Sequence, residues 1–212
     1  MWVKMKTGAL VGASEFNEER FREMYDAGAF DVVIAVDGGY KYLTDMGITP
    51  AMVVGDLDSL GYEPKGIRLV KFPTHKDKSD MELAISRAKS QGCDSIYAFG
   101  VLGGRLDHTI ANLYIFAKAC ESGMSVCLVD FENAIFFIHG PDTFEAEACE
   151  DGTVSVFSMS DLSTGVFERG MEWDLDDVEL DNRTSRGLSN QLIGEPVMIG
   201  VESGTLMIFF PL

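Results

Sequence analysis

Apolar residues in the first part of the chain gather in short runs, and between the runs they recur at three- and four-residue spacing. The runs predict strands at 7–11, 31–36, 51–54, 67–72, 95–99 and 125–129. The spaced segments predict helices at 15–27, 39–46, 79–91 and 106–122. Strand and helix therefore alternate, as in a doubly wound parallel sheet with helices on its faces. Past Asp130 the helical periods stop, and NAIFFIH, DTFEAEA, TVSVFSMS, TGVFERG, EPVMIGV and TLMIFF follow with turn residues between them. Such a series predicts an antiparallel β-sandwich or jelly-roll-like half. The expected organisation is α/β followed by all-β, with domains at 1–132 and 133–212.

The ends of the early strands carry the chemistry. In an open parallel sheet, ligands bind outside the carboxyl ends of the strands. VVIAVDGG, MVVGDLDS, LVKFPTHKDKSD and YAFGVLGGRLDH would bring Asp37, Asp56, Asp58, Asp77, Asp80 and Asp107 to one rim. Carboxylates crowded there repel one another, and a hard cation such as Mg²⁺ relieves the repulsion. Asp56 and Asp58 stand two apart, so in an extended loop both face the same way. Ser79 and Glu82 fit a capping box that starts the helix at 80–91. The N–H groups of that helix start, with the Lys76 ammonium, suit phosphate oxygens, and Asp77 or Asp80 would complete a metal shell. In GVLGGRLDH the glycines let backbone approach a phosphate, while Arg105 has the fork to bind it.

Composition narrows the partners. Net charge is −17 and 46% of residues are hydrophobic, so the chain can bury a core but repels nucleic acid and anionic membrane. An anionic nucleotide would have to arrive with Mg²⁺ and meet locally placed basic residues. GYEPKGI at 61–67 lacks the Lys-Ser/Thr pair of a Walker A loop, and GVLGGRLDH is not a dinucleotide fingerprint. His75 and His139 have no ligand-like neighbours in sequence, which argues against zinc. His108, directly after Asp107, fits a helix start or a packing role. Cys93, Cys120, Cys127 and Cys149 show no CxxC spacing and are expected to be buried reduced thiols. The first twenty residues fit neither a signal peptide nor a membrane span, so the cytoplasm is the expected location.

Five segments occur in the order in which thiamine pyrophosphokinases carry them: DGG at 37–39, GDLDS at 55–59, KDKSDMELA at 76–84, GGRLDH at 103–108 and RGLSNQ at 186–191. Most of the chain thus resembles that family, with Ser79 in place of the usual threonine. TGALVGAS at 7–14 departs from the family's more glycine-rich first loop, so Gly12, Ala13 and Ser14 are left out of the expected site.

The resemblance implies transfer of the diphosphate of ATP to the hydroxyl of thiamine, with Mg²⁺ held by Asp56, Asp58 and Asp80. Those three, with Arg105 and Asp107, form the expected catalytic set. Asp37, Gly38, Gly39, Ser59, Lys76, Asp77, Ser79, Gly103, Gly104 and His108 are expected on the ATP side. GMEWDL at 170–175 resembles a tryptophan-bearing family segment, which puts Trp173 against the thiazolium and Ser189 and Asn190 at the pyrimidine. A homodimer is implied, each cleft combining the α/β half of one subunit with the β half of the other. A pyrophosphokinase for a hydroxymethyl pterin, or a non-catalytic thiamine or nucleotide binder, are the alternatives.

Overall fold

The computed structural model describes residues 5–57, 62, 64–71 and 77–212. Asp58, Ser59, His75 and Lys76 lie outside the described residues. Met1–Ile115 with Leu128–Phe131 form one compact unit, and Phe116–Cys127 with Glu132–Leu212 form a second.

In the first unit, β1 (Thr7–Val11), β2 (Val32–Val36), β3 (Met52–Val54), β4 (Leu69–Val70) and β5 (Ser95–Phe99) lie side by side in the order β5-β1-β2-β3-β4. Every pair among them is parallel. Because the chain steps outward from β1 through β4 and then returns to place β5 on the other side of β1, the strand order reverses between β1 and β5. That reversal opens a crevice beyond the two carboxyl ends. β1, β2 and β3 bury nearly every residue, as strands covered on both faces must. Phe21 and Phe99 are fully buried and meet edge to face, with ring centroids 5.1 Å apart.

The helices follow their caps. α1 (Glu18–Asp26) starts later than the predicted residue 15, because the Asn17 side chain accepts a hydrogen bond from the Arg20 N–H and so fixes Asn17 as the cap. α2 (Gly39–Asp45) follows β2 directly. α3 (Asp80–Ser90) begins at Ser79, whose Oγ accepts from the Glu82 N–H at 3.2 Å. The Glu82 carboxylate lies 3.4 Å from the Lys78 ammonium. α4 (Leu106–Glu121) follows the glycine turn after β5.

The second unit is antiparallel. β7 (Asn133–His139), β9 (Thr153–Ser158), β12 (Asn190–Gln191) and β14 (Thr205–Pro211) form one sheet in the order β12-β9-β14-β7, while β6 (Ser125–Val129) straddles the two units. β8 (Asp142–Ala146), β10 (Leu162–Arg169), β11 (Leu175–Asp181) and β13 (Val197–Val201) form the other in the order β11-β10-β13-β8. Val156, Val166, Ile199, Leu206 and Ile208 share the core of this unit. The sandwich expectation holds, but β11 and β12 do not appear in the apolar pattern. LDDVELD buries only Leu180 fully, so an exposed edge strand of this kind carries no apolar signal. Cys93, Cys120 and Cys127 are buried free thiols, whereas Cys149 is only half-buried.

Candidate active site

The crevice between β1 and β5 is a cavity of about 650 Å³. Of the expected residues it gathers Asp37, Ser79, Asp80, Gly104, Arg105 and His108. Gly12, Ala13 and Ser14, which the sequence left aside, line it as well, together with Glu15, Tyr42 and Asn112. Gly38, Gly39, Gly103, Asp56, Asp77 and Asp107 are not among the lining residues.

Close backbone approach builds the floor. A Cβ on Gly12 would stand 2.4 Å from the Gly100 carbonyl oxygen, so this position admits only glycine where the two strand ends meet. The Gly12 N–H donates to the Phe99 carbonyl at 2.8 Å and the Ser14 N–H to that of Gly100 at 2.9 Å, tying the loop after β1 to the loop after β5. The Ser14 hydroxyl donates to the Gly103 carbonyl at 2.9 Å, and the Tyr42 hydroxyl to the Ser14 carbonyl at 3.0 Å. The departure from the family's first loop therefore leaves a serine in the wall. Gly39 serves packing: a Cβ there would meet the Val11 carbonyl oxygen at 2.0 Å, so α2 lies directly on the end of β1.

Asp37 turns the chain out of β2 with φ of 49°. Its N–H donates to the Val54 carbonyl at 2.8 Å, which sets it beside the Gly55–Asp56 turn. Its Oδ1 is buried and has no hydrogen-bond partner among the described residues. A carboxylate oxygen in that state is costly unless something positive completes it. Asp80 enters the same cavity from the first turn of α3, where the free N–H groups of the helix also sit.

Opposite stands Arg105. Its Nε and Nη2 donate to the Asp107 carboxylate at 3.1 and 2.6 Å, and Asp107 also accepts from the His108 N–H at 3.0 Å. Hydrogen bonding to Arg105 is the main cause that holds the Asp107 carboxyl below its ordinary value. Both side chains are mostly exposed, so the pair adds little stability. It keeps the guanidinium at the mouth, aligned for an anion that displaces Asp107.

Among the described residues no three His, Cys, Asp or Glu side chains converge as a metal-binding group. Of the expected set Asp56, Asp58 and Asp80, Asp58 falls outside the described residues. The donors present nevertheless fit Mg²⁺, which takes one or two carboxylates, several waters and the phosphates of its nucleotide. All are oxygen donors, and the orphaned Asp37 Oδ1 is the observation that carries the fit.

In the second unit, Trp173 is 59% exposed and so is not a core residue. The Asn190 side chain holds the backbone of Trp173 at both ends: its Oδ1 accepts from the Trp173 N–H at 3.1 Å and its Nδ2 donates to the Trp173 carbonyl at 2.7 Å. Oδ1 also accepts from the Gln191 N–H at 3.0 Å, and Nδ2 donates to Glu168 Oε2 at 2.9 Å. The amide is thereby fully engaged and 95% buried by the protein itself, at 5% exposure. In this structure its hydrogen-bonding groups serve Trp173, Gln191 and Glu168. Ser189 is exposed at φ of 62°, with its N–H donating to Ser155 Oγ at 3.0 Å.

Known proteins corroborate the reading of these motifs. A sequence model described as the catalytic domain of thiamin pyrophosphokinase matches residues 27–128. Thiamine pyrophosphokinase of Bacillus subtilis (strain 168) is 29% identical over 170 residues, covering 76% of this chain and 78% of that protein. Thiamine pyrophosphokinase 1 of Oryza sativa subsp. japonica is 24% identical over 169 residues, covering 73% of this chain and 63% of that protein. The crystal structure of the Bacillus subtilis thiamine pyrophosphokinase superposes with a TM-score of 0.82 at 24% identity, covering 96% of this chain and 98% of that one, a likeness of fold. The matched segment contains β5 and the turns after β2 and β3, and over most of its length the chain is similar to thiamine pyrophosphokinases.

Proposed function

We propose that this protein is a thiamine diphosphokinase: the primary hydroxyl of thiamine attacks the β-phosphorus of ATP in line and gives its proton to an aspartate of the crevice, the new O–P bond forms as the bond to the α-phosphate oxygen breaks, and AMP leaves with that electron pair. The observation that carries the proposal is the crevice at the strand-order reversal, which Asp37 with an unpartnered oxygen, Asp80 at the start of α3 and Arg105 line together. Asp37, Asp56 and Asp80 with Asp58 would hold Mg²⁺, which would neutralise phosphate charge.

The chain's own residues do the rest by positioning. The Arg105 guanidinium exchanges Asp107 for phosphate oxygens. The first N–H groups of α3, the helix that Ser79 caps, donate to another phosphate edge. Gly103 and Gly104 keep side chains out of its way. His108 serves the nucleotide side from the lining of the crevice, Gly39 contributes through its packing on β1, and Gly38, Asp77, Ser59 and Lys76 keep the nucleotide role that the family resemblance implies. Thiamine is cationic, and the exposed Trp173 ring offers it a π face. The Ser189 hydroxyl serves the pyrimidine.

The α/β part binds ATP and metal and the β part binds thiamine, and the working assembly is a homodimer. Two exposed apolar sets support that reading. Leu106, Ile110 and Tyr114, 71, 46 and 60% exposed, recur every four residues along α4, and Trp173, Leu188 and Ile193 are 59, 52 and 48% exposed in the β part. Faces of this kind are commonly covered by a partner. Free thiols suit a reducing compartment, which favours the cytoplasm as the proposed location.

The test is an assay of the purified protein with ATP, Mg²⁺ and thiamine that separates AMP from ADP. AMP and thiamine diphosphate should appear in equal amounts and only with a divalent cation. Thiamine monophosphate with ADP would overturn the mechanism, and preference for a pterin alcohol would replace the substrate.

A further inference from the structure

A carboxylate sits in the core of the second unit where an apolar residue is expected. Glu168 is 1% exposed and lies on the inward face of β10, on the same side as Val166. It pairs with Leu175 of β11 on one side and Ile199 of β13 on the other. Its Oε1 has no hydrogen-bond partner among the described residues, and its Oε2 meets a single side chain, the amide of Asn190. Burying a carboxyl group on such terms is destabilising, so the position calls for a reason beyond packing.

The reason lies at the other end of the amide. An asparagine side chain can turn over and exchange its oxygen and nitrogen, and only one orientation serves here. The Trp173 and Gln191 N–H groups both require the oxygen, while the Trp173 carbonyl requires the nitrogen. Glu168 reinforces the choice from inside the core, because its Oε2 accepts from Nδ2 and would repel Oδ1. The segment is otherwise tied by the Glu172 N–H donating to the Gln191 carbonyl at 2.9 Å and by the bridge between Met171 and Leu192. Neither of these touches Trp173 itself.

We infer that Glu168 is a positioning residue for thiamine recognition: through Asn190 it fixes the backbone of Trp173 and so pre-orients the exposed indole for the cationic substrate. This inference rests on the proposed placement of Trp173 at the thiazolium. A ring held in its binding orientation before the ligand arrives loses less freedom on binding, and that advantage belongs to thiamine and not to ATP.

The test uses the full-length enzyme with Glu168→Met, which removes the acceptor at similar size, and Glu168→Gln, which retains a carbonyl acceptor. Glu168→Met should raise KM for thiamine roughly tenfold, a loss of about 1.4 kcal/mol, while KM for ATP stays within about twofold. The Trp173 amide proton should exchange faster with solvent in that variant, with exchange in β13 and β14 unchanged. Glu168→Gln should stay close to the wild type in all three measurements. Unchanged KM for thiamine and unchanged Trp173 exchange in a folded Glu168→Met protein would overturn the inference, and so would parallel rises of both KM values. If Glu168→Met does not fold, Glu168→Leu removes the same acceptor and the same outcomes decide. Trp173→Ala separates the two readings: if it leaves KM for thiamine unchanged, the placement of Trp173 is wrong, while the exchange measurement still tests what Glu168 holds.

Discussion

Among the described residues, two buried carboxyl oxygens lack partners, Asp37 Oδ1 and Glu168 Oε1, and only the first was legible in the sequence. Asp37 ends an apolar run and is followed by two glycines, a pattern that puts a carboxylate at the ligand side of a parallel sheet. Glu168 stands in TGVFERG, where simple alternation from the inward Ser163 would turn Phe167 inward and leave Glu168 in solvent. A register shift between Ser163 and Val166, at Gly165 with φ of 63°, moves the alternation by one residue and turns Glu168 inward. No single-sequence pattern announces such a bulge. Its consequence is measurable through pH. Burial is the largest influence on Glu168 and raises its pKa above 4.5, Asp174 adding to the rise while Asn190 and Arg186 oppose it. With the folded value raised, the stabilising contribution of the protonated acid is complete below the unfolded pKa and is lost as pH rises through the folded one. Glu168→Gln lacks this titration, so its melting temperature relative to the wild type should climb as pH rises above 4.5. A difference that stays flat between about pH 4 and pH 8 would show that the carboxylate ionises in the core without penalty.

At the scale of elements, what was legible is what periodicity and caps encode. β1, β2, β3, β5 and β6 fall where apolar runs predict them, because strands buried on both faces write themselves as continuous hydrophobic sequence. β11 and β12 were not legible, since one is an acidic edge strand and the other is two residues long. The wall contributed by Gly12, Ala13 and Ser14 was missed for a related reason. Its role comes from hydrogen bonds to Gly100 and Gly103, far away in sequence, and no local motif records them. α3 shows the opposite case, a cap readable in sequence and present in structure. Ser79→Ala removes the acceptor for the Glu82 N–H and should lower stability by about 1 kcal/mol. In a chain of this size that corresponds to a fall in melting temperature of roughly 2–4 °C, measured calorimetrically. Ser79→Thr should restore it, because the hydroxyl returns. A loss of turnover in Ser79→Ala far beyond the loss of stability would instead assign the hydroxyl to the phosphates.

At the scale of the whole molecule, net charge and strand order set the broad chemistry, whereas assembly is the property that sequence motifs carry least directly. A chain with a charge of −17 repels free ATP, so electrostatics favours the metal-bound nucleotide, and Arg105 is the one Lys or Arg among the described residues that line the crevice. The proposed dimer makes a sharper demand. If each cleft takes its aspartates from one subunit and its tryptophan from the other, the two contributions can be inactivated on separate chains. Asp56→Asn should cost about 3 kcal/mol of barrier and nearly silence its homodimer. Trp173→Ala should weaken thiamine binding at least about tenfold, leaving little turnover at low thiamine. In a hybrid dimer one cleft receives both substitutions and the other receives neither. Random exchange of subunits makes about half of the dimers hybrids, each with one intact cleft of two, so mixing equal amounts of the two inactive proteins should restore about a quarter of wild-type activity. Were each cleft built within a single chain, every cleft in the mixture would carry one substitution and no activity would return. Subunit exchange can be followed independently by mass under native conditions, so hybrids that form without restored turnover would sink the shared cleft.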